Sequence, residues 1–246
     1  MPFILLSCCG DEAAEFCNGA SESAVVDAAL GQLAEYLQAS GLEAAMRPAQ
    51  VPCHAVASVA NRENAALLLT LCSSRAPAEK AGQERGTDIC FHPAAKRSRA
   101  LAEAIHAALC AAAPDPAQIR LLPAPQLPDF RMARCPCVQI RLGYRDHPED
   151  AVWMVQATGI VAHALAKGVA AWFGLPCISP YAGQGAVVHA PSGSLALRRA
   201  PHREAEILQA LPNGTPLTPL HREGEWQYVE HDDRCGFVQR KYLAYQ

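Results

Sequence analysis

The residues best suited to chemistry stand where two predicted strands end. The stretch "ALLLTLCSSRAP", Ala66 to Pro77, is typical of a buried strand running into a polar loop, and Cys72 stands at the junction. The stretch "CPCVQIRLGY" predicts another strand and carries Arg141 and Tyr144. Because α/β enzymes place their chemistry at the carboxyl ends of parallel strands, a thiol and a guanidinium at these points predict a functional cleft.

More thiols lie close to the predicted first strand, Phe3 to Ser7. If several thiolates gathered at the ends of the first and third strands, they would form a closed, tetrahedral structural zinc site. The thiols in question are those of Cys8, Cys9, Cys17 and Cys72, with the carboxylate of Glu22 nearby. The alternative is a set of reduced, partly buried thiols, and in that case we expect no cofactor.

Composition limits the classes of protein. The chain has 246 residues, 50% of them apolar and 18% charged, which is typical of a globular protein with one domain plus a small module. Its formal net charge is −3 and its basic residues are scattered, so we expect no nucleic-acid partner. No apolar run approaches the ~20 residues that cross a bilayer, so we expect no membrane span.

The cysteines and the N-terminal residues bear on location. Eleven cysteines form no Cys-x-x-Cys pair and mostly lie in apolar segments, which favours reduced thiols and a reducing compartment. The start "MPFILLSCCG" loosely resembles a lipoprotein processing site. Its apolar run is only about five residues and no basic residue precedes it, so it predicts a buried strand instead of a signal peptide. The location stays open between the cytoplasm and release by a non-standard route.

Strand-like and helix-like stretches alternate over the first 175 residues. The apolar residues with the spacing of an amphipathic helix are Val26, Leu30, Leu33 and Leu37. Ser40-Gly41 predicts the end of that helix, and apolar periodicity from Pro148 to Phe173 predicts a long final helix. This alternation predicts an α/β domain with a mostly parallel sheet flanked by helices.

Composition changes beyond residue 176. The segment 177–191 is rich in Gly, Pro and Ser and predicts a linker. About 55 residues of short β-type runs follow, separated by turn signals such as Asn213-Gly214, and they predict a small all-β barrel. The predicted organisation is an α/β domain over 1–176, the linker, and a barrel over 192–246.

The C-terminal segment resembles the bacterial SH3-like domain. The matching stretches are "SLALRRAP", "LPNGTPL", "EWQYVE" and "CGFVQRKYL". The resemblance implies a recruiting module, often for cell-wall peptides, with Trp226 and Tyr228 as candidate recognition residues. The alternative is that both rings fill a small core.

Residues 1–175 resemble a divergent branch of the zinc-dependent N-acetylmuramoyl-L-alanine amidases. The resemblance rests on the order of elements and on several local signatures. The matching stretches are "AEYLQASGLEAAMRP", "SVANRENAALLLTLCSSRAP", "ERGTDICFHP", "RSRALAEAI" and "RCPCVQIRLGYRDHPEDAVWM".

The resemblance implies a zinc ion held by His, Glu and His, with another glutamate that transfers protons. The first histidine position falls near Gly10, and the second falls on Cys72. The glutamate ligand falls at Ser23, with Glu22 one residue away. The catalytic glutamate falls on Arg141, which can neither coordinate a cation nor accept a proton. We therefore expect the ligands and the catalytic acid to be replaced.

The leading hypothesis is a bacterial, peptidoglycan-related protein that binds a peptidoglycan fragment or cell-wall peptide without hydrolysing it. The predicted cleft residues are Cys8, Cys9, Glu22, Cys72, Arg141 and Tyr144. The guanidinium of Arg141 suits a peptide carboxylate. The alternative for Arg141 is a local salt bridge with Asp146, Glu149 or another acidic neighbour.

Two enzymatic alternatives remain open. One is an active peptidoglycan amidase or peptide hydrolase that uses substituted ligands. The other is a thiol hydrolase in which Cys72 acts with His92 or His54, since a cysteine activated by a histidine can attack an amide.

Overall fold

The computed structural model describes residues 1–9, 13–48, 50–113, 115–181, 185–232 and 234–246. The chain divides into two compact units, Met1–Cys177 and Ile178–Gln246. None of the helices in the described residues is long and apolar enough to cross a membrane.

In the described part of the first unit, six strands form one mixed sheet in the order β2-β1-β3-β6-β4-β5. The strands are β1 (Phe3–Cys8), β2 (Glu43–Met46), β3 (Leu67–Ser74), β4 (Thr87–Phe91), β5 (Ile119–Pro123) and β6 (Cys137–Tyr144). Neighbouring strands are parallel, except that β4 is antiparallel to β6. The predicted α/β class is confirmed, and the reversed direction of β4 affects which side chains meet.

Helices flank this sheet. They are α1 (Glu22–Ala39), α2 (Val56–Arg62), α3 (Lys96–Ala112), α4 (Pro128–Met132), α5 (Pro148–Gln156) and α6 (Thr158–Trp172). The predicted apolar stripe of α1 is buried. Ser21 Oγ accepts the Ala24 N–H at the start of α1, and Gly41 follows the helix with φ +81°, a left-handed conformation that glycine adopts freely.

The stretch predicted as one long final helix is two helices. The chain leaves helical geometry at Ala157, where φ is −107° and ψ is 16°, between α5 and α6. Both helices bury apolar residues, so the periodicity continues across the junction and the sequence does not reveal the break.

The two faces of the sheet carry different residues, because successive side chains of a strand point to opposite sides. One face carries Leu69, Leu71 and Ile140, which are fully buried under the long helices α1, α3 and α6. The packing of α3 against α6 is so close that a Cβ added to Gly168 would lie 2.6 Å from the Cα of Ile105.

The other face is apolar only towards the amino ends of β3 and β6. There α2 packs against Leu68 and Cys137. Further along the same face the side chains become polar, first with Thr70 on β3 and Gln139 on β6, and then with Cys72 and Arg141. This change of polarity along one face positions the candidate site.

The second unit is all-β in its described residues, with strand order β13-β7-β10-β11-β12-β8-β9. The strands are β7 (Ala186–Val188), β8 (Ser194–Arg198), β9 (Ile207–Pro212), β10 (Pro216–Glu223), β11 (Trp226–His231), β12 (Arg234–Gln239) and β13 (Leu243–Tyr245). Leu197, Leu211 and Val229 are fully buried in its core. The stretch 177–191, which the sequence predicts as a linker, supplies β7, so the sheet begins earlier in the chain than residue 192.

Candidate functional site

The carboxyl ends of β1, β3 and β6 meet at one edge of the first sheet. The Cys9 N–H donates to Leu71 O at 2.9 Å, which places Cys9 beside β3. Cys72 and Arg141 are register partners, and Asp88 faces Arg141 because β4 runs the other way. We call this group the polar edge; its members are Cys9, Glu22, Cys72, Asp88, Gln139 and Arg141.

Glu22 is the carboxylate that reaches the polar edge. It is 1% exposed, although it is the first residue of α1. Its Oε1 accepts the Ser73 N–H at 2.7 Å, and its Oε2 accepts from Arg145 Nη1 at 2.9 Å. The neighbouring Ser23 instead places its hydroxyl 3.0 Å from that of Ser21. Glu22 is therefore a buried anion whose charge is balanced by an arginine of the same chain.

Cys72 is a buried, protonated thiol. It is 4% exposed, and its Sγ accepts a hydrogen bond from Gln139 Nε2 at 3.4 Å. Burial raises the pKa of Cys72 to about 12, although the hydrogen bond from Gln139 and the charge of Arg141 act in the opposite direction. At neutral pH this thiol is therefore not a ready nucleophile.

Arg141 is a partly buried cation whose guanidinium has no carboxylate within 4.0 Å among the described residues. The two acidic neighbours suggested by the sequence are engaged elsewhere. Asp146 accepts the N–H groups of Ala76 and Gly82, and Glu149 pairs with Arg85 at 2.6 Å. The local salt bridge predicted as the alternative for Arg141 is therefore not formed with Asp146 or Glu149, nor with another acidic residue that the structure describes.

A second buried carboxylate at the polar edge is also paired with an arginine. Asp88 Oδ1 accepts from Arg120 Nε at 2.7 Å, and the Asp88 side chain is only 7% exposed. Tyr144 lies nearby and its N–H donates to Asp150 Oδ2 at 2.8 Å. Burial raises the pKa of the Tyr144 phenol, so this group is neutral at physiological pH.

The remaining predicted thiols, those of Cys8 and Cys17, differ in exposure. Cys17 is exposed, whereas Cys8 is partly buried at the end of β1. An unpredicted thiol joins them: Cys53 Sγ donates to Cys8 O at 3.3 Å. Gly10, the predicted counterpart of the first histidine ligand, lies outside the described residues.

The described donor set does not suit the zinc ion that the resemblance implies. Both oxygens of Glu22 are already bonded to Arg145 and Ser73. Arg141 adds a positive charge that opposes a dication. In the parts of the chain that the structure describes, no three His, Cys, Asp or Glu side chains are arranged to hold a metal ion.

The predicted partnership of Cys72 with a histidine is wrong for His92. Because β4 is antiparallel to β6, its carboxyl end, which precedes His92, lies at the opposite edge of the sheet from Cys72. His92 Nδ1 instead accepts the Ala94 N–H at 3.2 Å. His54 is exposed and lies next to Cys53. The hydrogen bond to Cys72 comes from Gln139, which is no general base.

The first unit also contains a cavity of about 220 Å³ at the same edge. Leu142, Thr87 and Trp153 are among its lining residues. Leu142 directly follows Arg141 on β6, and Thr87 directly precedes Asp88 on β4. Because successive side chains of a strand point to opposite faces, Leu142 and Thr87 point to the face opposite Arg141 and Asp88. This cavity is therefore separate from the candidate site.

In the second unit, the two predicted recognition residues have different environments. Trp226 is partly buried and pairs in register with Glu223 and Gln239. Tyr228 is only 3% exposed, and its ring lies 4.9 Å from that of Phe237. A recognition role for Tyr228 does not fit this burial, because the ring belongs to the core. Trp226 keeps surface for a ligand.

Comparison with solved structures places this fold. The N-acetylmuramyl-L-alanine amidase Ami1 from Mycobacterium smegmatis superposes with a TM-score of 0.60 at 17% identity, covering 70% of this chain and 97% of that one. The catalytic domain of CwlV, an N-acetylmuramoyl-L-alanine amidase from Bacillus (Paenibacillus) polymyxa, gives 0.61 at 16% identity, with coverages of 72% and 100%. An N-acetylmuramoyl-L-alanine amidase from Clostridium difficile 630 gives 0.62 at 13% identity, with coverages of 70% and 97%. At these identities the likeness shows the fold.

The fold and the second module together define a protein of the cell-wall amidase class. A family model for N-acetylmuramoyl-L-alanine amidases matches residues 10–171, about two thirds of the chain, and a model for the bacterial SH3 domain matches residues 193–244. This chain belongs to the N-acetylmuramoyl-L-alanine amidase family and carries a bacterial SH3 domain. A search of curated proteins found no match.

Sequence reasoning missed the residues that complete the polar edge. Arg145 lies 123 positions from Glu22, Gln139 lies 67 positions from Cys72, and Cys53 lies 45 positions from Cys8. Charge balance was the one available signal for Arg145, because a buried carboxylate requires a cation or a metal nearby. That signal does not say which arginine supplies the charge.

Proposed function

We propose that the first unit binds a soluble peptidoglycan fragment through a peptide carboxylate and does not cleave its amide bond. The observation that carries this proposal is the pairing of Glu22 with Arg145. The Glu22 carboxylate lies one residue from the position of the family's glutamate ligand, and the Arg145 guanidinium already neutralises it at 2.9 Å. A second guanidinium, Arg141, then stands at the position that the resemblance assigns to the catalytic acid.

The chemistry of Arg141 supports binding. Its guanidinium presents a planar fork of N–H donors that matches a carboxylate, and at the polar edge it has no described carboxylate partner. Two further guanidinium groups at this edge, those of Arg120 and Arg145, are each paired with a buried acid. Arg141 is therefore available to a ligand carboxylate.

We expect no residue of the polar edge to act as a general acid or base in hydrolysis. Arg141 cannot accept a proton, and the thiol of Cys72 keeps its own until strongly alkaline pH. A bound fragment would meet the positive charge of Arg141, neutral hydrogen-bonding groups, and two carboxylates that arginines already neutralise. Such a site holds a peptide without activating water.

We also propose that the second unit recruits the protein to the cell wall through Trp226. The SH3 family match and the remaining exposure of Trp226 support this assignment. An aromatic ring on a barrel surface supplies a large, rigid contact at low entropic cost. Trp226→Ala should weaken co-sedimentation with purified cell walls, whereas Arg222→Ala serves as a nearby control.

The test of the main proposal is calorimetric titration with a peptidoglycan fragment whose peptide carries free carboxylates. Wild-type protein should bind, and Arg141→Ala should lose at least about tenfold in affinity, since hydrogen bonds to charged groups contribute about 1.5–3 kcal/mol. Arg62→Ala, which removes an exposed guanidinium paired with Glu63, is the matched control and should bind normally. Unchanged binding by Arg141→Ala would reject this role of the guanidinium.

The competing function is an active amidase or peptide hydrolase that uses substituted ligands, and family membership favours it. Purified cell walls incubated with the full-length protein distinguish the two functions. We expect no loss of turbidity, with or without a chelator. Clearing that a chelator abolishes would replace the binding proposal with metal-dependent hydrolysis.

A further inference from the structure

Two thiols that come from distant parts of the chain meet at the carboxyl end of β1. Cys9 is fixed by the hydrogen bond from its N–H to Leu71 O at 2.9 Å. Cys53 begins the 3₁₀ turn Cys53–Ala55 that leads into α2, and its Sγ donates to Cys8 O at 3.3 Å. Because Cys8 O belongs to the peptide group that joins Cys8 to Cys9, this contact places the Cys53 sulfur beside Cys9. Both residues are free cysteines and partly buried, and the nearby Cys53 thiol contributes to the raised pKa of Cys9.

We propose that Cys9 and Cys53 form a redox modification site that closes into a reversible disulfide by exchange with a low-molecular-weight disulfide. This inference is independent of the proposed function, because it concerns the two thiols and not the ligand of Arg141. Neither residue type nor sequence spacing indicates the pair, since no Cys-x-x-Cys motif is present and 43 residues separate the two positions.

The exchange proceeds in two balanced steps. The Cys53 thiolate attacks one sulfur of the small disulfide, breaks its S–S bond and releases one small thiolate, which takes up the proton that Cys53 lost. The Cys9 thiolate then attacks the Cys53 sulfur of this mixed disulfide and releases the second small thiolate, which is protonated in turn. Two protein thiols are oxidised, one small disulfide is reduced to two thiols, and no other oxidant is needed.

The order of attack follows from the surroundings of Cys9. Burial, together with the charge and hydrogen bond of Cys53, raises the pKa of Cys9 to about 12. Cys9 is therefore a poor first nucleophile at neutral pH. Once Cys53 is part of the mixed disulfide, it carries neither a thiolate charge nor a thiol proton. Two of the causes that hold the proton on Cys9 then disappear, which favours the second step.

The bond would have a mechanical consequence at the candidate site. It would tie the end of β1, where the polar edge begins, to the turn that starts α2. The closed loop of about 45 residues contains α1 and β2, so the bond removes substantial freedom from the unfolded chain. We expect the oxidised protein to melt roughly 10 °C above the reduced protein.

The experiment uses the full-length protein, first reduced and then incubated with oxidised glutathione. Mass spectrometry should find a product about 2 Da lighter than the reduced protein, because two hydrogen atoms leave. Peptide mapping should link Cys53 to the peptide that contains Cys8 and Cys9. Cys53→Ser and Cys9→Ser should each abolish the link, whereas Cys8→Ser, the matched control, should keep it. Dithiothreitol should return both the mass and the melting temperature to the reduced values.

Differential alkylation provides a test without variants. In the wild-type protein, iodoacetamide should modify Cys53 before oxidation and fail to modify it afterwards, while exposed Cys17 reacts in both states. A persistent glutathione adduct on Cys53 without the link would overturn the proposal. A link that survives in Cys9→Ser, or Cys53 that stays reactive after oxidation, would overturn it as well.

Discussion

Leu71 and Cys72 are neighbours on β3, yet they belong to two regions that are stabilised by different interactions. Leu71 points to the face of the sheet that the helices cover, and its side chain is fully buried. On that side α3 and α6 pack so closely that there is no room for a Cβ at Gly168. Cys72 points to the polar edge, where buried charges are balanced in pairs. The covered face depends on the removal of apolar surface from water, and the polar edge depends on charge compensation. The two regions should therefore respond to different perturbations.

The largest effect is expected where a charge pair is broken. Arg145→Ala leaves the Glu22 carboxylate, which is 1% exposed, without its cation, and we expect a loss of about 3 kcal/mol in the free energy of unfolding. Denaturant unfolding measures this loss. The double variant Arg145→Ala with Glu22→Gln should recover part of it, because no uncompensated charge remains. If the double variant is no more stable than the single one, charge compensation is not what holds this edge.

The face of the sheet that the helices cover should be destabilised when an extra side-chain atom is added between them. A methyl group added at Gly168 lies 2.6 Å from the Ile105 Cα, a backbone atom that can yield only if α3 and α6 separate. Gly168→Ala should therefore lose about 2 kcal/mol. Gly31→Ala in α1 is the matched control, since a Cβ there meets nothing within 4 Å, and it should be neutral or slightly stabilising. Equal effects of the two substitutions in thermal unfolding would contradict the close approach of the helices.

The Cys72 thiol should make the free energy of unfolding depend on pH. The folded pKa of Cys72 is about 12 and the unfolded value is 9.0, so between these values the unfolded chain binds fewer protons than the folded one. Stability is therefore retained below pH 9 and lost as the pH rises towards 12. Cys72→Val should reduce the slope of unfolding free energy in this range by up to about 1.4 kcal/mol per pH unit. Unchanged slopes would mean that the Cys72 thiol ionises as easily in the folded protein.

The smallest effect on stability should come from Arg141. Its guanidinium has no carboxylate partner among the described residues, so Arg141→Ala should change the free energy of unfolding by less than about 0.5 kcal/mol. The same variant should lose fragment binding. A residue that affects binding and leaves folding unchanged sharpens the contrast with Arg145. A large loss of stability would assign Arg141 to the structural network instead.

Much of the fold could be predicted because its signals are local. The stripe from Val26 to Leu37 and the turn at Gly41 define α1 from sequence alone. The apolar run ending at Cys72 defines β3 in the same way. The break at Ala157 and the reversed direction of β4 could not be predicted, since the first does not interrupt the periodicity and the second depends on which strands pair.

The candidate site was predictable in its residue types and much less in its contacts. The sequence pointed to Cys72 and Arg141 through their place at strand ends. It placed the family's glutamate at Ser23, one residue from the carboxylate that reaches the edge. A helix turns by about 100° per residue, so an error of one position decides whether a side chain faces the sheet or solvent.

The sequence by itself determined an α/β unit followed by an all-β module, since hydrophobic periodicity and turn residues act over a few positions. It also determined that a thiol and a guanidinium would stand at the ends of two central strands. Only the tertiary structure decided that Arg145 neutralises Glu22, that His92 lies away from Cys72, and that Cys9 meets Cys53. The physical reason is that charge balance and thiol contact depend on distances in space, and these distances exist only once strand order and direction have been set.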